Sequence, residues 1–167
     1  AKVTRDKLII ELGKIFPEYG FLYHKGYGTK NHLEALNEWK ACPIHRKTFA
    51  PVKRNLPSIR WYTDRQKIGW IGEKLAALHL WKKNHEIIIL NENCPPYGQL
   101  SIISKTKNTL VFSEVKTSVY TALTIPENQI ERKKLSQLAQ AAHSFLEKYP
   151  TEMDIRLDTV LAVSYTH

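Results

Sequence analysis

Residues 98–116 read GQLSIISKTKNTLVFSEVK and indicate two β-strands joined by a polar turn. Apolar and β-branched residues fill 99–104 and 109–116, whereas the KTKN between them has the composition of a turn. Glu114 and Lys116 stand two positions apart in the second strand, so their side chains project from the same face. The hairpin therefore presents an acidic and a basic side chain together on one face of a sheet.

Further helices and strands are predicted on both sides of this hairpin. Asp64 is the expected N-cap of a helix to about Lys83, and the β-branched stretch 86–91 predicts a strand. A second long helix is expected over about 128–149, with Leu135 and other apolar residues facing inward, and a last strand over 156–165. The order helix, three strands, helix, strand predicts a small α/β layered domain.

The first 57 residues show a different pattern, in which two short helices are expected over 4–16 and 29–39. The first helix has an apolar stripe made of Leu8, Leu12, Ile15 and Phe16. Two short helices have too little apolar surface to fold alone, so this segment needs a surface to pack on. Basic residues, a proline and aromatics interrupt the pattern at 53–62. We therefore predict two domains, 1–57 and 58–167.

The chain is strongly basic. Its 167 residues include 25 Lys plus Arg and 16 Asp plus Glu, a net charge of +9 with a pI near 9.5. Residues 1–57 contribute +6 and residues 58–167 contribute +3. This balance favours nucleic acid or another polyanion as partner, although a basic surface without a partner stays open.

Other classes of protein are disfavoured by the composition. Two cysteines make no disulfide scaffold, and the chain has no CxxC pair that would suggest a zinc site. The spacing of His24, His32 and His45 is not typical of a zinc site either. The longest apolar runs, such as IIIL at 87–90, are too short for a membrane span. No secretory leader opens the chain, so a cytoplasmic location is expected.

Three short motifs fall on the predicted helices and strands of the second segment: GE at 72–73, EVK at 114–116 and RLD at 156–158. From about residue 65 onward the chain resembles the YraN-type endonucleases. These are small proteins with a restriction-endonuclease-like fold of the PD-(D/E)XK class. The resemblance implies a three-layer αβββαβ domain. In that family an Asp, at the end of a Gly-Glu-Ile-Asp strand, stands thirteen residues before the Glu of the EVK motif.

The resemblance also implies a phosphodiesterase site. An Asp and a Glu on adjacent strands hold Mg²⁺ or Mn²⁺ in such nucleases, and the Lys of the EVK motif orients water or stabilises negative charge. Here Glu114 and Lys116 match these roles, and Glu73 would be a further catalytic carboxylate and metal ligand. Lys134 matches the family's helix lysine, as a residue that contacts nucleic acid. Without the resemblance, Glu114 and Lys116 would be read as a surface ion pair.

The chain departs from the family pattern at the centre of this site. GQLS at 98–101 replaces Gly-Glu-Ile-Asp, so Ser101 stands at the position of the family Asp and Gln99 replaces the acidic residue beside it. Hard divalent cations are held mainly by carboxylates, and a neutral hydroxyl supplies no formal charge. We therefore expect a damaged metal site, although Glu73 and Glu114 could still hold an ion with help from main-chain groups.

The first segment carries the blocks AKVTRDKL, HKGYGTKNHLEAL and PIHRKTFAPV. Over about residues 1–53 these blocks resemble the C-terminal end of bacterial ribonuclease HII, which implies a small, mostly helical tail before the second domain. The resemblance makes Asp6 the remnant of a fourth active-site carboxylate and Tyr27 a contact to the RNA–DNA junction. His24, Lys25 and Arg46 would lie around that tyrosine. The family's other carboxylates precede this part, and Asp6 alone cannot support two-metal hydrolysis.

Three functions remain open. We favour a nucleic-acid-binding protein with a nuclease fold and a degraded metal site, formed as a fusion or fragment of the two families. The second is an active metal-dependent endonuclease on DNA or RNA–DNA hybrids, with ribonuclease HII activity if further sequence precedes residue 1. The third is a structural remnant, in which the first segment only packs against the second. A homodimer could cover the apolar stripe of the first helix.

Overall fold

The structure, a computed structural model, describes residues 2–120 and 132–165. Its chain divides into two compact units, of which the first ends at Ile68 and the second begins at Gly69. The domain boundary that we predicted after residue 57 stays a prediction. Within the described residues, no helix is long and apolar enough to cross a membrane.

The first unit is helical, and short turns of helix surround a few buried aromatic side chains. Tyr19 and Phe16 are almost fully buried, together with Leu12 and Ile15 from the predicted stripe. Leu8, the fourth stripe residue, is 43% exposed, so the inward face of the first helix is shorter than its periodicity indicated. The helices of this unit are α1 (Lys2–Ile15), α2 (Phe21–His24), α3 (Lys30–Trp39) and α4 (Ala50–Arg54), with 3-10 turns at Pro17–Tyr19 and Ile59–Thr63.

The second unit follows the predicted order of helix, three strands, helix and strand. A helix that begins in the first unit leads into it, and Asp64 Oδ1 accepts the Gln66 main-chain N–H at 2.8 Å, as expected of an N-cap. The elements are α5 (Arg65–Lys82), β1 (Glu86–Asn93), β2 (Gln99–Thr106), β3 (Thr109–Tyr120), α6 (Arg132–Lys148) and β4 (Asp154–Tyr165). The predicted start of the second long helix, 128–131, lies outside the described residues.

The four strands form one mixed sheet in the order β1-β2-β3-β4. β2 pairs antiparallel with β1 and β3, and β4 lies parallel to β3, so the connection that includes α6 crosses from one parallel strand to the other. The pairing of Ile102 with Ser113 fixes the register of the hairpin. Extending this register by one step would place Ser101 opposite Glu114.

One face of the sheet is covered by α6. Phe112 is fully buried, and its ring meets Phe145 edge-on at a centroid distance of 5.6 Å. Leu110, Leu138 and further buried residues complete this cluster. Our expectation that Leu135 faces inward is wrong, because its side chain is 43% exposed. The part of α6 that packs on the sheet therefore begins at about Leu138.

The other face of the sheet lies against α5. Gly72 is buried, and a Cβ built at this glycine would lie 2.8 Å from Cγ2 of Thr117. Thr117 and Phe112 differ by an odd number of positions along β3, so their side chains project from opposite faces. The two helices therefore enclose the sheet, and the expected three-layer, restriction-endonuclease-like arrangement is confirmed.

Candidate functional site

Ser101 lies on β2 and is buried, with 8% of its surface exposed. Its Oγ accepts the main-chain N–H of Val115 at 3.2 Å and donates to Glu114 Oε2 at 3.4 Å. The hydroxyl at the position of the family Asp is therefore part of the hydrogen bonding between β2 and β3. Glu114 therefore supplies the carboxylate in this pair of strands.

Lys134 reaches the same carboxylate from α6. Its Nζ lies 4.0 Å from Glu114 Oε1, and the two side chains are 51% and 25% exposed. Half-exposed ion pairs of this kind contribute little to stability. This pair matters because it places the predicted helix lysine, Lys134, beside the predicted strand glutamate, Glu114.

Glu73 is linked to the same region through a residue that the sequence did not single out. Asn91 Nδ2 donates to Glu73 Oε2 at 2.9 Å. The pairs on either side of Asn91 in the sheet register place it opposite Ser101. Its φ of +58° lies in the left-handed region, which asparagine tolerates better than most residues. The only sequence signal for Asn91 is that it ends the apolar run of β1.

The structure therefore brings two of the predicted residues, Ser101 and Lys134, into contact with a third, Glu114. Glu73 is connected to them through Asn91 on the neighbouring strand. Lys116 is half-buried and shares the Glu114 face of β3 by strand alternation.

These side chains do not fit a divalent metal centre. Mg²⁺ and Mn²⁺ need several oxygen ligands, carboxylates above all. Here one oxygen of Glu114 accepts from Ser101, and the other faces an ammonium group. Among 2–120 and 132–165, no cluster of three or more His, Cys, Asp or Glu side chains could hold a metal ion.

The first unit carries an arginine and a tyrosine in contact at its surface. The Arg5 guanidinium carbon lies 5.2 Å from the centroid of the Tyr27 ring, and Tyr27 is 56% exposed. Arg5 Nη2 also donates to the Lys25 carbonyl at 3.1 Å, and Nη1 lies 3.9 Å from Asp6 Oδ1. The predicted residues Asp6, Lys25 and Tyr27 thus lie around Arg5. Arg5 directly precedes Asp6 in the sequence but is not among the predicted site residues.

A second pair of the same kind involves Arg46. Its guanidinium carbon lies 5.9 Å from the centroid of the Phe49 ring, which is 46% exposed. Arginine stacked on an exposed aromatic ring presents both a positive charge and a flat apolar surface. Nucleic-acid-binding surfaces combine these two features.

His24 is engaged inside the unit. Its Nε2 donates to the Tyr19 carbonyl at 2.6 Å, and its Nδ1 accepts the Gly26 N–H at 3.2 Å. The ring stacks on His32 with centroids 4.6 Å apart. Both nitrogens therefore hold the loop that precedes Tyr27, and a direct role of His24 in nucleic-acid contact stays a prediction.

Two further imidazoles form a hydrogen-bonded chain that the sequence spacing did not indicate. His32 Nδ1 contacts the Tyr27 carbonyl at 3.0 Å and must donate, so its Nε2 accepts from His45 Nε2, also at 3.0 Å. His45 Nδ1 then accepts the Cys42 N–H at 3.1 Å. Burial, followed by the proximity of His32, lowers the pKa of His45 to about 4. This hydrogen-bonded chain therefore consists of neutral imidazole rings.

Comparison with known proteins gives the family of the second unit. The profile of the family described as "Uncharacterised protein family UPF0102" matches residues 72–162, which is more than half of the chain. The chain belongs to this family. It is the family of the YraN-type proteins, so the resemblance drawn from the GE, EVK and RLD motifs is confirmed.

The second comparison confirms the other resemblance. Ribonuclease HII of Acholeplasma laidlawii (strain PG-8A) is 62% identical over 56 residues, which are 34% of this chain and 28% of that protein. Ribonuclease HII of Burkholderia cenocepacia (strain HI2424) is 53% identical over 60 residues, 36% of this chain and 28% of that protein. The chain thus spans less than a third of the length of these relatives.

Proposed function

We propose that this protein binds nucleic acid through a nuclease fold whose metal centre has lost its ligands. The observation that carries this proposal is the hydrogen bond from Ser101 to Glu114, at the place where the family pattern has an Asp. Membership of the UPF0102 family and the identity to ribonuclease HII support a nuclease-type function.

Binding is supported by charge and by exposed rings. The chain has a net charge of +9, and the pairs Arg5–Tyr27 and Arg46–Phe49 lie at the surface of the first unit. In the second unit, Lys134 is half-exposed beside Glu114. We propose DNA or an RNA–DNA hybrid as the partner, since these present the phosphates and sugars that such groups contact.

Hydrolysis is not part of this proposal. In an active nuclease of this fold, Mg²⁺ or Mn²⁺ would polarise the phosphate and activate water. Glu73 and Glu114 are held by Asn91 and by Ser101 with Lys134, and they do not form a ligand set for such an ion. The ribonuclease HII relatives match over less than a third of their length, so for the first unit we propose contact with nucleic acid only.

We expect little cleavage of duplex DNA or RNA–DNA hybrid by the wild-type chain in Mg²⁺ or Mn²⁺. The double variant Ser101→Asp with Gln99→Glu restores the acidic residues of the family pattern, and it should bind Mn²⁺ at millimolar concentration where the wild type does not. Isothermal titration with Mn²⁺ alone measures this gain. Ser136→Asp, which adds an acid on the exposed side of α6, is the matched control and should show no gain. Robust wild-type cleavage that Glu114→Ala abolishes would contradict the proposal.

Binding should weaken steeply with salt. Each phosphate neutralised by a basic side chain contributes about 0.9 to the slope of log K against log salt concentration. Replacing Lys25 and Arg46 by Gln should therefore reduce that slope by about 2. Fluorescence anisotropy with a labelled duplex from 50 mM salt upward measures the slope, with Lys107→Gln in the β2–β3 turn as control. A wild-type affinity that does not change with salt would favour the structural-remnant alternative.

A further inference from the structure

We infer that Lys134 supplies, in the second unit, the positive charge that a divalent ion supplies in an active nuclease. This inference rests on the proposed function and specifies how the site would bind its partner. The ligand is a backbone phosphate of a nucleic acid, bound without a metal ion. Glu114 is then an internal counter-ion, and it does not act as a metal ligand.

The first support is the arrangement around the Glu114 carboxylate. One oxygen accepts the hydrogen bond from Ser101 at 3.4 Å, and the other lies 4.0 Å from Lys134 Nζ. Ser101 is itself fixed by the Val115 main-chain N–H. The carboxylate is thus oriented from one side and neutralised from the other, by groups that belong to the protein.

The second support is the accessibility of the ammonium group. A separation of 4.0 Å is an ion pair but is too long for a hydrogen bond, so this carboxylate does not take up the N–H donors of Lys134. The Lys134 side chain is 51% exposed. An ammonium group has three donors and no acceptor, which suits a phosphate oxygen.

The third support is the balance of charge. A carboxylate alone repels a nearby phosphate, and active nucleases remove that repulsion with a cation. In this site Lys134 already removes it, and a divalent ion placed beside Glu114 would meet the like charge of the ammonium. Binding should therefore be independent of Mg²⁺ once ionic strength is held constant.

The test uses the full chain and a fluorescein-labelled 20-base-pair DNA duplex or RNA–DNA hybrid in anisotropy titrations. At equal ionic strength, affinity in EDTA and in Mg²⁺ should agree within about twofold. Lys134→Gln should weaken binding about fivefold, and Glu114→Gln should strengthen it by a similar factor, because each changes one charge next to the phosphate. Lys134→Arg keeps the charge and should bind like the wild type.

Matched controls lie on the same helix. Lys148→Gln and Glu147→Gln make the same charge changes near the end of α6, where the side chains are exposed, and each should alter affinity by less than about twofold. Melting temperatures of all variants show whether a change in affinity reflects unfolding. If Lys134→Gln is unfolded, the difference in affinity between Glu114→Gln and its control Glu147→Gln still decides the question.

The outcomes separate this inference from the proposed function. Absence of wild-type binding to both probes at low salt would overturn nucleic-acid binding itself. Binding that needs Mg²⁺, or that EDTA abolishes, would leave that function intact and overturn the role of Lys134. The same role is overturned if Lys134→Gln behaves like Lys148→Gln.

Discussion

Gly72→Ala should lower the free energy of unfolding by about 2 kcal/mol, because α5 is packed too closely on β3 for a methyl group. A Cβ at this position would lie 2.8 Å from Thr117 Cγ2 and 2.9 Å from Thr117 Cβ. Real Cβ contacts are longer than 3 Å, so the helix or the strand must move. Thr117 cannot easily rotate away, since β-branched side chains are stiff at χ1. Alanine gains up to about 1 kcal/mol over glycine in a helix, which offsets only part of this cost.

Urea unfolding of the full chain measures this difference. Gly69→Ala, one turn earlier in α5, is the matched control because, apart from its chain neighbours and the backbone of its own helix, no heavy atom lies within 4 Å of its added Cβ. This control should gain up to about 1 kcal/mol from helix propensity alone. Combining Gly72→Ala with Thr117→Ala should recover part of the loss. Equal stabilities of the two single alanine variants would mean that α5 does not pack on Thr117 as described.

Acidification from pH 6.5 toward pH 4 should destabilise the first unit, because the folded chain keeps His45 neutral in this interval whereas the unfolded chain protonates it. The pKa of His45 falls from its ordinary value of 6.5 to about 4 in the folded chain, chiefly because of burial. A folded-state pKa below the unfolded one means that the neutral ring stabilises the fold. That contribution is complete above pH 6.5 and is lost progressively as the pH falls toward 4. This contribution to the free energy of unfolding amounts to about 3 kcal/mol. Burial also lowers the pKa of His32, so His32 adds a further loss of stability on acidification.

The physical cause lies in the hydrogen bonds. A proton on His45 Nδ1 removes the acceptor for the Cys42 N–H, and a proton on His32 Nε2 makes two N–H groups face each other. Far-UV circular dichroism melts from pH 7.5 to 4.5 measure the loss. His45→Asn should remove most of the pH dependence in this range, whereas His143→Gln, at an exposed position of α6, should leave it unchanged. A His45 pKa above 6, measured by NMR titration, would contradict this account.

The parts of the site that the sequence predicted are those fixed by short-range geometry. Ser101 and Glu114 meet because a tight turn sets the register of one hairpin, and the side-chain period of two then decides which residues face each other. Lys134 could be assigned only from the family resemblance, because its distance to Glu114 depends on how α6 packs. Leu135, its immediate neighbour, is exposed although the periodicity of α6 placed it inward, whereas Leu138 and Phe145 are buried as predicted.

The unpredicted parts depend on backbone irregularity. Asn91, which donates to Glu73, lies in β1, a strand whose register shifts between Ile87 and Ile89. The φ of Asn91 itself is positive. A regular alternating pattern contains neither feature. His32 and His45 meet because Lys40, with a φ of +63°, redirects the chain after α3. Lysine carries no signal for that turn, so spacing along the sequence could not bring the two imidazoles together.

The hydroxyl of Ser101 also bears on how reversible the proposed loss of a metal site would be. Because it accepts the Val115 N–H and donates to Glu114, it has become part of the strand pairing. A single change back to aspartate would place two carboxylates on adjacent strands. Without a cation, two such groups share a proton, as close acid pairs do. If the proposed loss is correct, the change to serine is therefore easier to make than to undo, and a metal-dependent enzyme would require several residues to change together.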